Sequence, residues 1–208
     1  EFVAATKSDY SRLSRLAKAG KAQRLAAGLY VVGATLPPEQ VARHHLHAVV
    51  AAIWPGAVLC HRTAIAGGMP VDGAVYIAHP DPPRTNALRL PGVSIVPVVG
   101  PSALPGDLPL PHGLWMSGPA RVLVENVTLR GRPAKSKART AAVDDRVDEL
   151  ARSGGAGRVR STLDQLDVVA GSFDLNDVQH VRQRLAAVLG SFSVPPPAGG
   201  RLAARLAG

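Results

Sequence analysis

The stretch SDYSRLSRLAKAGKAQRLAAGLYVV, residues 8–32, decides how the chain is read. Tyr10, Leu13, Leu16 and Ala17 recur at three- to four-residue spacing and form one apolar stripe, while Ser11, Arg12, Ser14, Arg15 and Lys18 fall on the other side. This spacing predicts a short amphipathic helix. Gly20 ends it, because glycine takes the left-handed conformation of a helix C-cap without a Cβ penalty. Beyond it, Gln23 to Leu25 can pair with Leu29 to Val31, and Gly28 supplies the positive φ that the turn needs.

A basic helix followed at once by a basic hairpin is the arrangement of a winged helix-turn-helix reading head. Lys21 and Arg24 then stand on the hairpin, where a wing meets a phosphate backbone, and Arg12, Arg15 and Lys18 stand where a recognition helix faces a groove. Gln23 joins Arg12 and Arg15 as a side chain able to read base edges. The local pattern is shared by any amphipathic surface helix with a solvated charged face.

Charge placement separates these readings better than its total. The net charge is +9; residues 1–32 contribute +4 and residues 130–139 contribute +5, while the remainder balances at 13 basic and 13 acidic side chains. Solubility needs no such segregation, whereas a polyanionic partner favours it through counterion release. The second block, RGRPAKSKAR, offers Arg130, Arg132, Lys135, Lys137 and Arg139 as further phosphate contacts; a basic linker without a specific partner is its other reading.

The rest of the composition excludes several classes. The 208 residues suffice for one sizeable core or two small ones, and with aromatics at only 4% that core is built from Ala, Val and Leu. No apolar run reaches the ~20 residues of a membrane span, and no signal peptide is evident, so a cytoplasmic protein with no membrane contact is expected. Cys60 stands alone, which excludes an internal disulfide and a cysteine-built zinc site. Phosphate-binding glycine loops, a dinucleotide fingerprint, a GxSxG elbow and an HExxH pair are all missing, so no cofactor, metal or catalytic residue is assigned.

Along the chain, EQVARHHLHAVVAAIW reads as one helix that Pro37-Pro38 precede and Pro55-Gly56 stop, with Val41, His45, Ala48, Val49, Ala52 and Ile53 as its buried side. His44 and His47 share a face, but two imidazoles do not make a metal site. Ala57–Leu59 reads as a strand, followed by a short helix from His61 to Ala66 that Gly67-Gly68 terminate. Cys60 beside His61 imitates a nucleophile and its base, yet adjacent residues rarely face each other, and a small buried thiol is the preferred reading.

AVYIAH, ALRLPGVSIVPVVG and HGLWMS are β-rich runs between proline-rich turns, suggesting a small, mostly antiparallel sheet on which the helix GPARVLVENV lies. Helices follow at about 142–153, 157–170 and 175–189, the last capped by Asp174, and SVPPPAGGRLAARLAG reads as a linker.

Taken in order, LAKAGKAQRLAAGLYVV, PGAVLCHRTAIAGG, VYIAHP, LPGVSIVPVV and GLWMSGPARVLVEN resemble the AbiEi family of antitoxins and transcriptional regulators over roughly residues 8–127. In that family an arginine-bearing wing ending in Gly-Leu-Tyr precedes a Pro-Gly, a strand, a Ser/Thr-Ala helix and, later, a Pro-Ala-Arg helix on a small sheet. The resemblance implies a bacterial protein that binds operator DNA, represses its own operon and contributes to antitoxicity against a nucleotidyltransferase-like toxin. Arg24, Gly28 and Tyr30 match the wing, and Arg12, Arg15 and Lys18 match the helix before it. A full winged helix has further helices ahead of its reading helix, and about seven residues precede Ser8, so the expectation is either that those helices lie outside this sequence or that this is a reduced wing whose DNA binding has decayed.

RTAIAGG, LPGVSIV, GPARVLVENV and the closing GSFSVPPPAGGRLAARLAG also resemble the AbiEi-like amino-terminal half of Fic-domain proteins. The Fic active-site motif is absent, since His79-Pro80 continues as Asp81-Pro82-Pro83 without the glycines that bind phosphate, and Arg121 stands where the inhibitory motif has Ser or Thr. That resemblance implies a non-catalytic regulatory module acting on a Fic domain by protein contact.

The expected fold is therefore α/β (α+β), a reduced winged helix-turn-helix followed by a small mixed sheet with packed helices and a helical carboxy-terminal region. Its parts are a winged-helix-like segment at 1–36, an AbiEi-like α+β domain at 37–129, a basic linker at 130–141, a helical region at 142–191 and a tail at 192–208. A protein-interaction module using the helices beyond residue 142 is the rival from another class.

Overall fold

The computed structural model describes residues 1–6, 8–83, 86–129 and 134–192. Among them, seven α-helices and two sheets form a mixed α/β fold. No helix among these residues is long and apolar enough to cross a membrane. Arg130 and Arg132 of the second basic block, and the segment 193–208 read as a linker, lie outside the described residues.

The first sheet has three strands in the order β1-β3-β2: β1 (Phe2–Ala4), β2 (Ala22–Ala26) and β3 (Leu29–Val32), with α1 (Tyr10–Lys18) between β1 and β2 in sequence. The helix and hairpin stand where their spacing predicts, and Gly28 at φ 77° makes the turn. β1 is not legible in the sequence, because three residues carry no period. It is a strand because Phe2, Val3 and Ala4 find Val31, Tyr30 and Leu29 across the ladder.

Pairing parity assigns the faces of this sheet, since directly opposed residues project to the same side. Gln23 opposes Val31, and Arg24 opposes Tyr30. Val31, Leu25 and Leu29 belong to a core shared with Val49, Ile77 and Ile95 of later elements. Tyr30 projects from the other face, where the Tyr10 ring of α1 meets it edge-on at 6.4 Å. One face thus seats α1, and the other closes the core.

Residues 38–53 are two helices, α2 (Pro38–His44) and α3 (Leu46–Ile53), not one. His45 breaks them at φ −97°, ψ 11°, and the break resets the helical phase. The buried side becomes Val41, Ala42, Leu46, Val49 and Val50, while Ala52 is exposed and His45 only half-buried.

The second sheet follows from β4 (Val58–Leu59), α4 (His61–Ile65), β5 (Ala74–His79), β6 (Leu88–Leu90), β7 (Val93–Val99), β8 (Leu108–Leu110) and β9 (Leu114–Met116), in the order β6-β7-β5-β4-β9-β8. It is mixed rather than mostly antiparallel. β5 runs parallel to β7 over six residue pairs, its longest pairing, and β4 runs parallel to β9. β8 falls in material read as turn, because Pro109 removes a ladder donor; such a strand is tolerated at a sheet edge, which is where it lies.

α5 (Pro119–Asn126) does not lie on this sheet through its apolar residues. Ala120, Leu123, Val124 and Val127 pack instead into a second core with Val143, Leu166, Val181 and Leu185 of α6 (Thr140–Val169) and α7 (Leu175–Ser191). α6 is broken at Gly155 (φ 58°, ψ −159°), between the two helices expected there. Asp174 caps α7, its carboxylate accepting from the Asn176 N–H at 2.8 Å and the Asp177 N–H at 3.4 Å.

Candidate nucleic-acid interface

The end of α1 determines where the basic side chains stand. The Lys21 N–H donates to the Leu16 carbonyl at 2.9 Å, and the Gly20 N–H to the Ala17 carbonyl at 3.1 Å, with Gly20 at φ 70°. This Schellman pair satisfies the last helical carbonyls and turns the chain straight into β2. Leu13 is wholly buried beneath the helix, contributing about 1.5–3 kcal/mol of burial energy that holds α1 to its sheet.

Arg12, Arg15 and Lys18 recur every third residue on the outer side of α1, and all three are exposed. Successive members of such a row are neighbours on a helix surface. The Arg12 guanidinium touches Asp9 at 3.6 Å, and Arg15 Nε donates to the Ser11 carbonyl at 3.4 Å; both contacts are solvent-exposed and weak enough for an anion to replace. Lys21 continues the row past the helix end, exposed at the base of the hairpin, where its carbonyl accepts from the Gly33 N–H.

On the hairpin, adjacent residues part company. Arg24 opposes Tyr30 on the face that seats α1; it is exposed, with Nε donating to the Ala26 carbonyl at 3.3 Å. Burial, with Tyr10 beside it, raises the Tyr30 phenol above its ordinary value and keeps it a neutral anchor. Gln23 projects from the opposite face, where its amide donates to the Leu36 carbonyl at 2.7 Å. Arg12, Arg15 and Lys18 are thus exposed along α1, Lys21 is exposed just past its end, and Arg24 is exposed on the sheet face that seats this helix, whereas Gln23 projects from the opposite face.

The second basic block is held elsewhere. The Arg62 N–H donates to the Ser136 carbonyl, the Ala138 N–H to Asn126 Oδ1, and Lys137 Nζ to the Val127 carbonyl at 2.8 Å. Lys135 and Arg139 are exposed, and Lys137 is half-buried. Residues 134–139 are thus a strap across α4 and α5.

Beneath the strap lies a polar cluster that sequence spacing does not announce. Arg121 Nε donates to Glu125 Oε1 at 2.6 Å, its Nη1 reaches Asp107 at 2.7 Å, and its two terminal nitrogens also bond the Ser102 and Pro101 carbonyls. Glu125 accepts further from Ser117 Oγ and the His61 N–H. The Arg–Glu spacing of four residues in α5 is the only local signal; Asp107, fourteen residues away, has none.

This cluster abuts Cys60 and His61. Burial and the Glu125 carboxylate push the Cys60 thiol well above its ordinary range, which opposes thiolate formation. Burial lowers the His61 imidazole, although Glu125 works the other way, and its Nδ1 is buried with no hydrogen-bond partner among the described residues. Among those residues, no group of three His, Cys, Asp or Glu side chains is placed to hold a metal ion. No family model, curated protein or solved structure matches the chain.

Proposed function

We propose that this chain binds double-stranded DNA through α1 and the β2–β3 hairpin, as a transcriptional regulator and antitoxin of the AbiEi type with a winged-helix reading head. The supporting observation is the exposed row Arg12, Arg15 and Lys18 on α1, continued in sequence by exposed Lys21, with exposed Arg24 on the face of the first sheet that seats this helix. In this reading Lys18, Lys21 and Arg24 fix the protein on phosphates, and Arg12 and Arg15 read base edges, guanine suiting a bidentate guanidinium best. The strap residues Lys135, Lys137 and Arg139 add to the long-range attraction.

Anisotropy titrations with the duplex upstream of the protein's own gene, and with an unrelated duplex of equal length, test this across a salt series. Wild type is expected to prefer its own duplex. The double variant Arg15→Ala/Lys18→Ala is expected to bind more weakly, to lose preference for its own duplex with the Arg15 base contact, and to show a salt slope shallower by about 0.9 for the one phosphate that Lys18 no longer neutralises. Equal affinity and slope in the two proteins overturn the assignment.

The second reading, a non-catalytic regulatory module of a Fic-type AMP-transferase or a partner of a nucleotidyltransferase-like toxin, is favoured by Val168 and Leu175. These flank the turn between α6 and α7 and are 63% and 65% exposed. Direct association with a neighbouring toxin or Fic domain that Val168→Asp abolishes supports it.

A further inference from the structure

Three histidines close in sequence meet a distant fourth where the first sheet joins the rest of the molecule. His44 ends α2, His45 forms the break, His47 lies in the first turn of α3, and His112 comes from the short 3-10 turn Pro111–Gly113 between β8 and β9. Together with Phe2 of β1 they line a cavity of about 550 Å³. The His44 and His45 rings lie 4.9 Å apart and perpendicular, and Phe2 stacks on His45 at 6.2 Å.

The charge inventory around the cavity is one-sided. Arg43 precedes His44 at the end of α2, and no carboxylate lines the cavity among the described residues. Glu1 is exposed at the start of the chain, and Glu39 packs against Gly92 at the far end of α2. Neutral imidazoles can pack on one another and on Phe2, whereas protonated rings repel each other, and the half-buried His45 and His47 would also give up part of their hydration.

We propose that this seam is a proton-operated latch: with its imidazoles neutral it holds β1 and the Pro111–Gly113 turn against α3, and with them protonated it lets these pieces part. Burial and His44 lower the proton affinity of His45, and burial and His112 lower that of His47. The open form therefore binds more protons than the closed one. Closure is fully favoured above the ordinary imidazole value of about 6.5 and is lost as pH falls through the lowered values. Because β1 pairs with β3, and Tyr30 of β3 carries α1 through Tyr10, the latch acts on the first sheet and its helix.

Hydrogen exchange on the full chain at pH 7.5 and 5.0, corrected for intrinsic rates, tests it. Protection at residues 2–5 and 111–116 is expected to fall at least fivefold relative to the amides of β5 and β7. In His45→Gln/His47→Gln/His112→Asn, which leaves no pair of imidazoles in the seam, this differential loss is expected to vanish; asparagine keeps the left-handed backbone of position 112 at φ 63°. His61 lies beside α5 and affects exchange there, not at β1. Should the variant fail to fold, an NMR titration of wild type decides, with His45 and His47 expected below 6.5 and β1 amide shifts moving with them. Unchanged protection, an equal loss throughout the molecule, a loss that persists in the folded variant, or β1 shifts indifferent to the histidines overturns the proposal.

Discussion

The guanidinium of Arg121 lies 2.7 Å from the carboxylate of Asp107, and each side chain is only 1% exposed. The pair ties α5 to the loop before β8, since Asp107 also accepts from the Leu104 and Gly118 N–H groups. Burial disfavours the charged guanidinium, and Glu125 and Asp107 more than offset this, so it stays ionised.

Truncating one member of such a cluster strands the others without water. Arg121→Ala is expected to cost about 3–5 kcal/mol in urea unfolding, because two buried carboxylates lose their counter-ion. Arg121→Lys is expected to recover little, since an ammonium cannot bridge two carboxylates and two carbonyls in a plane. A loss below about 1 kcal/mol for the alanine variant contradicts the structural role given to this cluster.

Gly20 holds a left-handed backbone at φ 70°, with nothing within 4 Å of where a Cβ would stand. Gly20→Ala is therefore a test of backbone conformation alone, expected to destabilise the protein by about 1–2 kcal/mol. If the proposed DNA binding holds and the Schellman turn orients Lys21, duplex affinity falls further than the unfolded fraction explains. Circular dichroism and anisotropy on the same samples separate the two losses.

Gln23 and Arg24 are neighbours in sequence on opposite faces of the sheet. On the proposed DNA-binding reading, Arg24→Ala is expected to weaken duplex affinity several-fold with little change in melting temperature. Gln23→Ala is expected to do the reverse, because its amide is bonded to the Leu36 carbonyl. A Gln23→Ala protein that unfolds normally but discriminates sequences poorly would place this residue back among the base readers.

At the other end of the chain, Asp174 satisfies two orphan N–H groups of α7. Asp174→Ala is expected to cost about 1 kcal/mol, and Asp174→Asn only a small part of that, as read by thermal unfolding at neutral pH. Equal losses for the two variants argue that charge, not the cap bond, is what matters there.

What sequence alone determined was short-range. The stripe of α1, its stop at Gly20, the turn at Gly28, the helix ended by Gly67-Gly68, the break near Gly155 and the cap at Asp174 each depend on residues within one or two turns, so spacing and backbone preference specify them. Tertiary structure decided whatever joins distant residues. β1 is a strand only because β3 is beside it, β5 and β7 are parallel because of how the chain crosses between them, and His45 breaks a helix whose sequence reads as continuous. The same holds for Arg121 meeting Asp107, His112 meeting His47, and ladder parity sending Arg24 to the α1 face while Gln23 goes to the other. A period in the chain says which residues share a side, and only the packed fold says what that side meets.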